Sequence, residues 1–164
     1  MLASHEAFIT VLFVLRGGVV MILYRGTPEP ESLPELRAHP VIFFAYDFNE
    51  AKDYATGGEQ ENGYIQEYFV PDGFHLLDLD EPEGTMMMEE FLGRSITRTD
   101  YNNILHYPTR EWVEFVSESG FEGIIGNYVL LFRPKSLRLL RRWRLDWNEE
   151  RRRYDERLIY QAAA

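Results

Sequence analysis

Two apolar runs separated by an acidic, proline-punctuated segment constrain this chain more than any other feature. The first, Ile22-Leu23-Tyr24, runs straight into the polar turn Arg25-Gly26-Thr27. The second, Val41-Ile42-Phe43-Phe44-Ala45, is apolar at consecutive positions, as a strand covered on both faces must be. A helical stretch follows over residues 50–55, with Asp47 or Asn49 placed to cap it. One strand ends on a polar turn and the other hands on to a helix, so together they define two walls of a cleft. The rest of the chain reads as support for it.

The supporting pattern is strand-rich with a few short helices. A short helix is predicted at residues 33–38. Residues 63–70 alternate as a strand, and residues 74–79 make another. A helix is predicted at 85–92, where Met86, Met87 and Met88 supply adaptable core filler. Residues 94–106 show no clear period. Thr109 caps a helix with Trp112, Val113, Phe115 and Val116 on its apolar face, ended by Gly120. Residues 123–125 and 128–132 are short strands, the second stopped by Pro134. The arginine-rich remainder reads as one helix or a strand followed by a helix. On the helical reading, Trp143 and Trp147, four apart, pack one side and the arginines stay solvated. The fold class expected is α+β.

With 164 residues the chain holds one domain and one sizeable core. An aromatic content of 15% suits either a small β-rich core or a cleft that stacks planar ligands. The absence of cysteine excludes disulfides and thiolate metal sites and fits a reducing, cytoplasmic compartment. His75 and His106 lack metal-ligand spacing, so no metal is expected. A net charge of −10 argues against broad electrostatic contact with nucleic acid, although arginines crowd positions 138–157. The apolar run at 7–15 is too short to span a bilayer and lacks a basic segment before it, so neither membrane nor signal peptide is expected. Met21 stands directly before the first motif strand. Residues 1–20 therefore read either as an extension ahead of a single 21–164 domain or as an extra strand or helix on its core.

Leu23-Tyr24-Arg25-Gly26-Thr27 resembles the first-strand motif of the ADP-ribosyltransferase superfamily. Ile42-Phe43-Phe44-Ala45 with Ala51 and Tyr54 resembles the second motif of its poly-ADP-ribose polymerase branch, in which two aromatic residues eleven positions apart, here Phe43 and Tyr54, sandwich nicotinamide. Residues 120–134 are similar to the closing strand. The resemblance implies a small split β-sheet core with short flanking helices. It also implies NAD as co-substrate and mono-ADP-ribosyl transfer to a macromolecular, protein acceptor. A toxin or phage effector countered by an antitoxin or immunity partner would fit it.

The chemistry sets what such a cleft must do. Cleaving the nicotinamide–ribose bond develops positive charge on the ribose, so the site must hold the ring still and stabilise that charge. On the resemblance, the cofactor-binding candidates are Tyr24, Arg25, Gly26, Thr27, Phe43, Phe44 and Tyr54. Arg25 would grip ribose or phosphate, and Gly26 would admit the carboxamide to the backbone. Phe43 and Phe44 point opposite ways in a strand, so only one can face the cleft. The position expected to carry the catalytic glutamate is Asn127, an amide without charge. Glu67 and Glu122 are the alternative acids beside Arg25 and Asn127. The departure leaves three readings: another acid serves, the acceptor supplies the base, or NAD is bound without turnover.

Overall fold

The computed structural model describes residues 13–15, 18–58, 60–71 and 74–163. Two small sheets and short helices make a mixed α+β fold. The chain order is β1 (Phe13–Leu15), β2 (Gly18–Thr27), α1 (Leu33–Ala38), β3 (Val41–Phe44), α2 (Phe48–Thr56), β4 (Gly63–Val70), β5 (Leu76–Asp78), α3 (Pro82–Leu92), α4 (Arg98–His106), α5 (Arg110–Glu118), β6 (Gly123–Ile125), β7 (Val129–Phe132), β8 (Arg138–Asn148) and β9 (Arg153–Gln161). One sheet runs β1-β2-β4-β8-β9, the other β3-β7-β6-β5. All neighbours are antiparallel except β5 and β6.

Local chemistry sets the helices. Ser32 and Glu35 form a reciprocal capping box at α1. Asp47 caps α2, and Gly57 ends it in the left-handed conformation that glycine adopts without strain. Thr109 caps α5 as the sequence predicts. The unassigned stretch at 94–106 contains α4, opened by a Thr97–Asp100 capping box that Arg94 reinforces.

Three apolar clusters hold the layers. Helices α3, α4 and α5 bury Met88, Leu105 and Trp112 against Leu77, Ile124 and Leu130 of the smaller sheet. Its other face, with Ile42, Phe44 and Leu131, packs on Leu23 and Tyr68 of the larger sheet and on Leu36 of α1. Helix α2 lies on the larger sheet through Ala51 and Ala55, over Ile65 and Leu145. Gly26 and Gly63 make that contact possible. A Cβ on Gly26 would overlap the Ala51 carbonyl oxygen, and one on Gly63 the Ala55 carbonyl oxygen.

The arginine-rich end is not a helix. It forms the β8–β9 hairpin, and β8 pairs with β4. Trp143 and Trp147 share a face at helical or at strand spacing, so their separation does not discriminate. Leu145 does: it is fully buried against α2, on the same face as both tryptophans, which only a period of two allows. Three arginines of β8 are tied to acceptors of the protein itself. Arg142 donates to the Glu31 carbonyl at 2.7 Å, Arg144 pairs with Asp146, and Arg141 lies 3.7 Å from Glu67.

Of residues 1–20, Phe13–Leu15 and Gly18–Val20 are paired strands, and β2 begins ahead of Met21. The remaining residues of that proposed extension lie outside the described ones. Among the described residues no helix is long and apolar enough to cross a membrane.

Candidate functional site

Backbone hydrogen bonds join the two packed sheets at one point among the described residues. Among the described residues, β2 and β3 exchange backbone hydrogen bonds only through Tyr24 and Ala45, at 2.9 and 2.8 Å. Beyond that pair the strands part, and the gap is the mouth of a cleft of about 410 Å³. Tyr24, Arg25 and Gly26 line one wall, Val41, Phe43 and Ala45 the other. Tyr54 of α2 and the α4–α5 junction close it.

Arg25 bridges the split. Its Nη1 donates to the Phe43 carbonyl oxygen at 3.2 Å, where a continuous sheet would have had a backbone donor. Its Nε donates to Glu31 Oε2 at 2.7 Å. The other oxygen of Glu31 lies 2.8 Å from His39 Nε2. Arg25 and Glu31 are both mostly shielded from solvent, so this pair holds its geometry better than a surface ion pair would.

An aromatic cluster surrounds the Phe43 ring at the cleft wall. The Phe43 ring sits 4.8 Å from Tyr128, 5.2 Å from Tyr54 and 6.2 Å from His106, centroid to centroid. Burial, and then a hydrogen bond donated to the Tyr128 hydroxyl, push the Tyr54 phenol above its ordinary range. The expected parallel clamp is not formed. A flat ring between two others needs centroids about 7 Å apart, twice a carbon–carbon contact. Phe43 and Tyr54 instead touch edge to face at 64°. Tyr54 is 42% exposed, so it is the ring with room to swing away.

Behind the cleft, Tyr24 donates to Glu67, its register partner on β4. Burial first, and then the Glu67 carboxylate, push the Tyr24 phenol up to about 12. Glu67 is only 6% exposed, so it is not a solvated strand residue. It reaches the cleft through Tyr24 rather than directly.

Several expected residues do not join the site. Phe44 is fully buried between the sheets, edge-on to Tyr68, because its neighbour Phe43 takes the cleft side of the strand. Thr27 turns away, donating to the Glu29 carbonyl at 2.6 Å and contacting the Gln66 amide. Glu122 accepts from the His75 amide at 2.9 Å and borders a separate depression beside Phe132 and Lys135. Asn127 is exposed on the β6–β7 turn, and the next residue, Tyr128, carries the ring that reaches Phe43 and Tyr54. Gly26 does line the cleft, but the close approach it permits is that of α2.

Sequence reasoning missed His106, Tyr107 and Pro108, since nothing local marks a helix junction as a cleft wall. It also missed Glu50. The Tyr46 amide donates to this carboxylate, yet its Oε2 is buried without a partner. Burial and then Asp47 raise its pKa above the ordinary carboxylate value. Glu50 lies four residues before Tyr54, one turn back on the same face of α2.

The fold and site together define an α+β domain whose split sheet opens an aromatic cleft with one anchored arginine. No protein-family model, no curated protein and no solved structure matches this chain.

Proposed function

We propose that this chain is an ADP-ribosyltransferase-like protein that takes the nicotinamide end of NAD into the cleft and transfers ADP-ribose to a protein acceptor. One observation carries the reading. Tyr24, Arg25 and Gly26 of the first motif share a single cleft with Phe43 and Tyr54 of the second, across the split between two sheets. In the transfer, the bond from ribose C1′ to the nicotinamide nitrogen breaks and nicotinamide leaves with the electron pair. The acceptor nucleophile bonds C1′ and gives its proton to a base. Arg25 has donors left after Glu31 and Phe43 are served, and these suit ribose or phosphate oxygens. Phe43 offers a ring face once Tyr54 swings out. Glu67 acts only through the Tyr24 hydroxyl.

A second reading, NAD binding without transfer, has its own support. Among the described residues lining the cleft none is acidic, so no carboxylate faces a developing ribose cation directly. Calorimetry with NAD, joined to a nicotinamide-release assay and label transfer to lysate proteins, separates the two. Binding with release and transfer supports the enzyme. Binding with neither supports the binding module. No binding removes both.

A further inference from the structure

A second depression, of about 510 Å³, lies where the end of α1 meets the end of β7. Arg37, His39, Arg133 and Lys135 line it, with Ala38, Pro40 and Pro134 and without a carboxylate. In a chain of net charge −10 this is a local reversal of sign. Among the described residues, Arg37, Arg133 and Lys135 make no ion pair. Of the four, His39 alone has a carboxylate partner, Glu31 at 2.8 Å; the three cations without one among the described residues repel one another, and an anion between them lowers that cost.

Arg133 adds an independent observation. Its φ is +46°, in the left-handed region where glycine is at ease and a long side chain is uncommon. Its amide donates to the Pro40 carbonyl at 3.2 Å, which holds its backbone beside the start of β3. Arg133 shares this conformation with Arg152 in the β8–β9 turn, but Arg133 alone of the two lines the depression.

The depression is also continuous with the cleft. A groove between them, lined also by Arg110, Glu114 and Glu118, shares Val41 and Pro108 with the cleft, and Pro40 and Arg133 with the depression. From Phe43 to Pro40 is three strand residues, about 10 Å. That is the scale of a step from a base through a ribose to a phosphate. Glu31 also ties the two ends, bonding Arg25 on one oxygen and His39 on the other.

We propose that Arg37, His39, Arg133 and Lys135 hold the diphosphate of a dinucleotide whose nicotinamide end lies in the cleft. The proposal rests on the cleft reading for the identity of the dinucleotide, but the anion site is testable without it. The variant to use is Arg133→Gly, because glycine suits φ +46° and the protein should keep or gain thermal stability. Calorimetry at low ionic strength would use inorganic pyrophosphate and ADP-ribose. Ligand-observed NMR would follow nicotinamide alone. Expected is at least a tenfold loss of affinity for pyrophosphate and ADP-ribose in Arg133→Gly, unchanged nicotinamide binding, and weakening of the wild-type affinity with added salt. Arg37→Ala should lose affinity in the same direction. Equal pyrophosphate affinity in wild type and Arg133→Gly would overturn the site. Pyrophosphate binding that depends on Arg133, with no binding of nicotinamide or NAD, would leave the anion site standing and sink the cleft reading. Tight oligonucleotide binding abolished in Arg133→Gly would overturn the dinucleotide assignment in favour of a nucleic-acid backbone.

Discussion

Gly26 and Ala51 are in contact backbone to backbone: a Cβ at position 26 would overlap the Ala51 carbonyl oxygen and stand 2.7 Å from the Ala55 amide nitrogen. None of those atoms can give way without lifting α2, and α2 carries Tyr54. Gly26→Ala should therefore destabilise the protein by at least about 1–3 kcal/mol, the usual range for overpacking. Denaturant unfolding checks it, as a lowered midpoint with an unchanged slope. A midpoint equal to wild type would show that α2 is not seated on this strand.

Arg25 should matter to ligand more than to fold. Arg25→Ala removes the bond to the Phe43 carbonyl and leaves Glu31 with His39 alone. NAD affinity should fall at least tenfold by calorimetry, since a held guanidinium is lost from the cleft wall. Tyr54→Ala should weaken nicotinamide binding while leaving pyrophosphate binding intact. Loss of both ligands together would mean that the variant had disturbed more than the ring.

Glu50→Gln should stabilise the protein at neutral pH. The folded-state pKa of Glu50 is raised, so its favourable contribution is present below the ordinary carboxylate value of 4.5 and is lost as pH rises through the folded value. Above that, a buried carboxylate oxygen lacks a partner. The gain should stay below about 1 kcal/mol, because the side chain is half-buried and water screens it. Thermal melts should show the variant ahead at pH 7 and level with wild type near pH 4. A variant less stable at pH 7 would show that the charged form is supported by a contact.

Tyr24 supplies a test at the alkaline end. Its pKa is raised from 10.0 to about 12, so the protonated phenol favours the folded state below 10 and that contribution disappears as pH rises through 12. Tyr24→Phe should flatten the loss of stability over this interval. In Glu67→Gln, the Tyr24 phenol should titrate closer to 10, read by NMR of ring-labelled tyrosine.

Leu145→Ala tests the hairpin. Leu145 is fully buried under α2, so truncation should cost about 2–5 kcal/mol. A solvated C-terminal helix would lose far less, and an effect under 0.5 kcal/mol in urea unfolding would contradict β8.

Much was legible locally. Thr109 and Asp47 announce helix starts because a cap is a bond between near neighbours. The strand at 63–70 follows from alternation, and the short one at 123–125 from its apolar pair and the turn that bounds it. The β8–β9 hairpin was not legible from Trp143 and Trp147, whose spacing serves two periods equally; pairing with β4 settled it.

For the site, residues near one another in sequence are sorted by strand alternation, so the choice between Phe43 and Phe44 was already limited to one. Which one faces the cleft depended on where the sheets part, at Tyr24 and Ala45. Contacts such as Arg25 with the Phe43 carbonyl, Tyr24 with Glu67 and Tyr128 with Tyr54 join positions far apart in the chain. Sequence alone determined the elements ahead of residue 94, the Asp47 and Thr109 caps and the two motif segments available to a cleft, because those depend on neighbours a few residues away. Only the tertiary structure decided that Glu67 lies behind Tyr24, that Glu122 stands elsewhere and that Tyr54 touches Phe43. Burial and register between strands are set by the whole packed core, and no local pattern carries them.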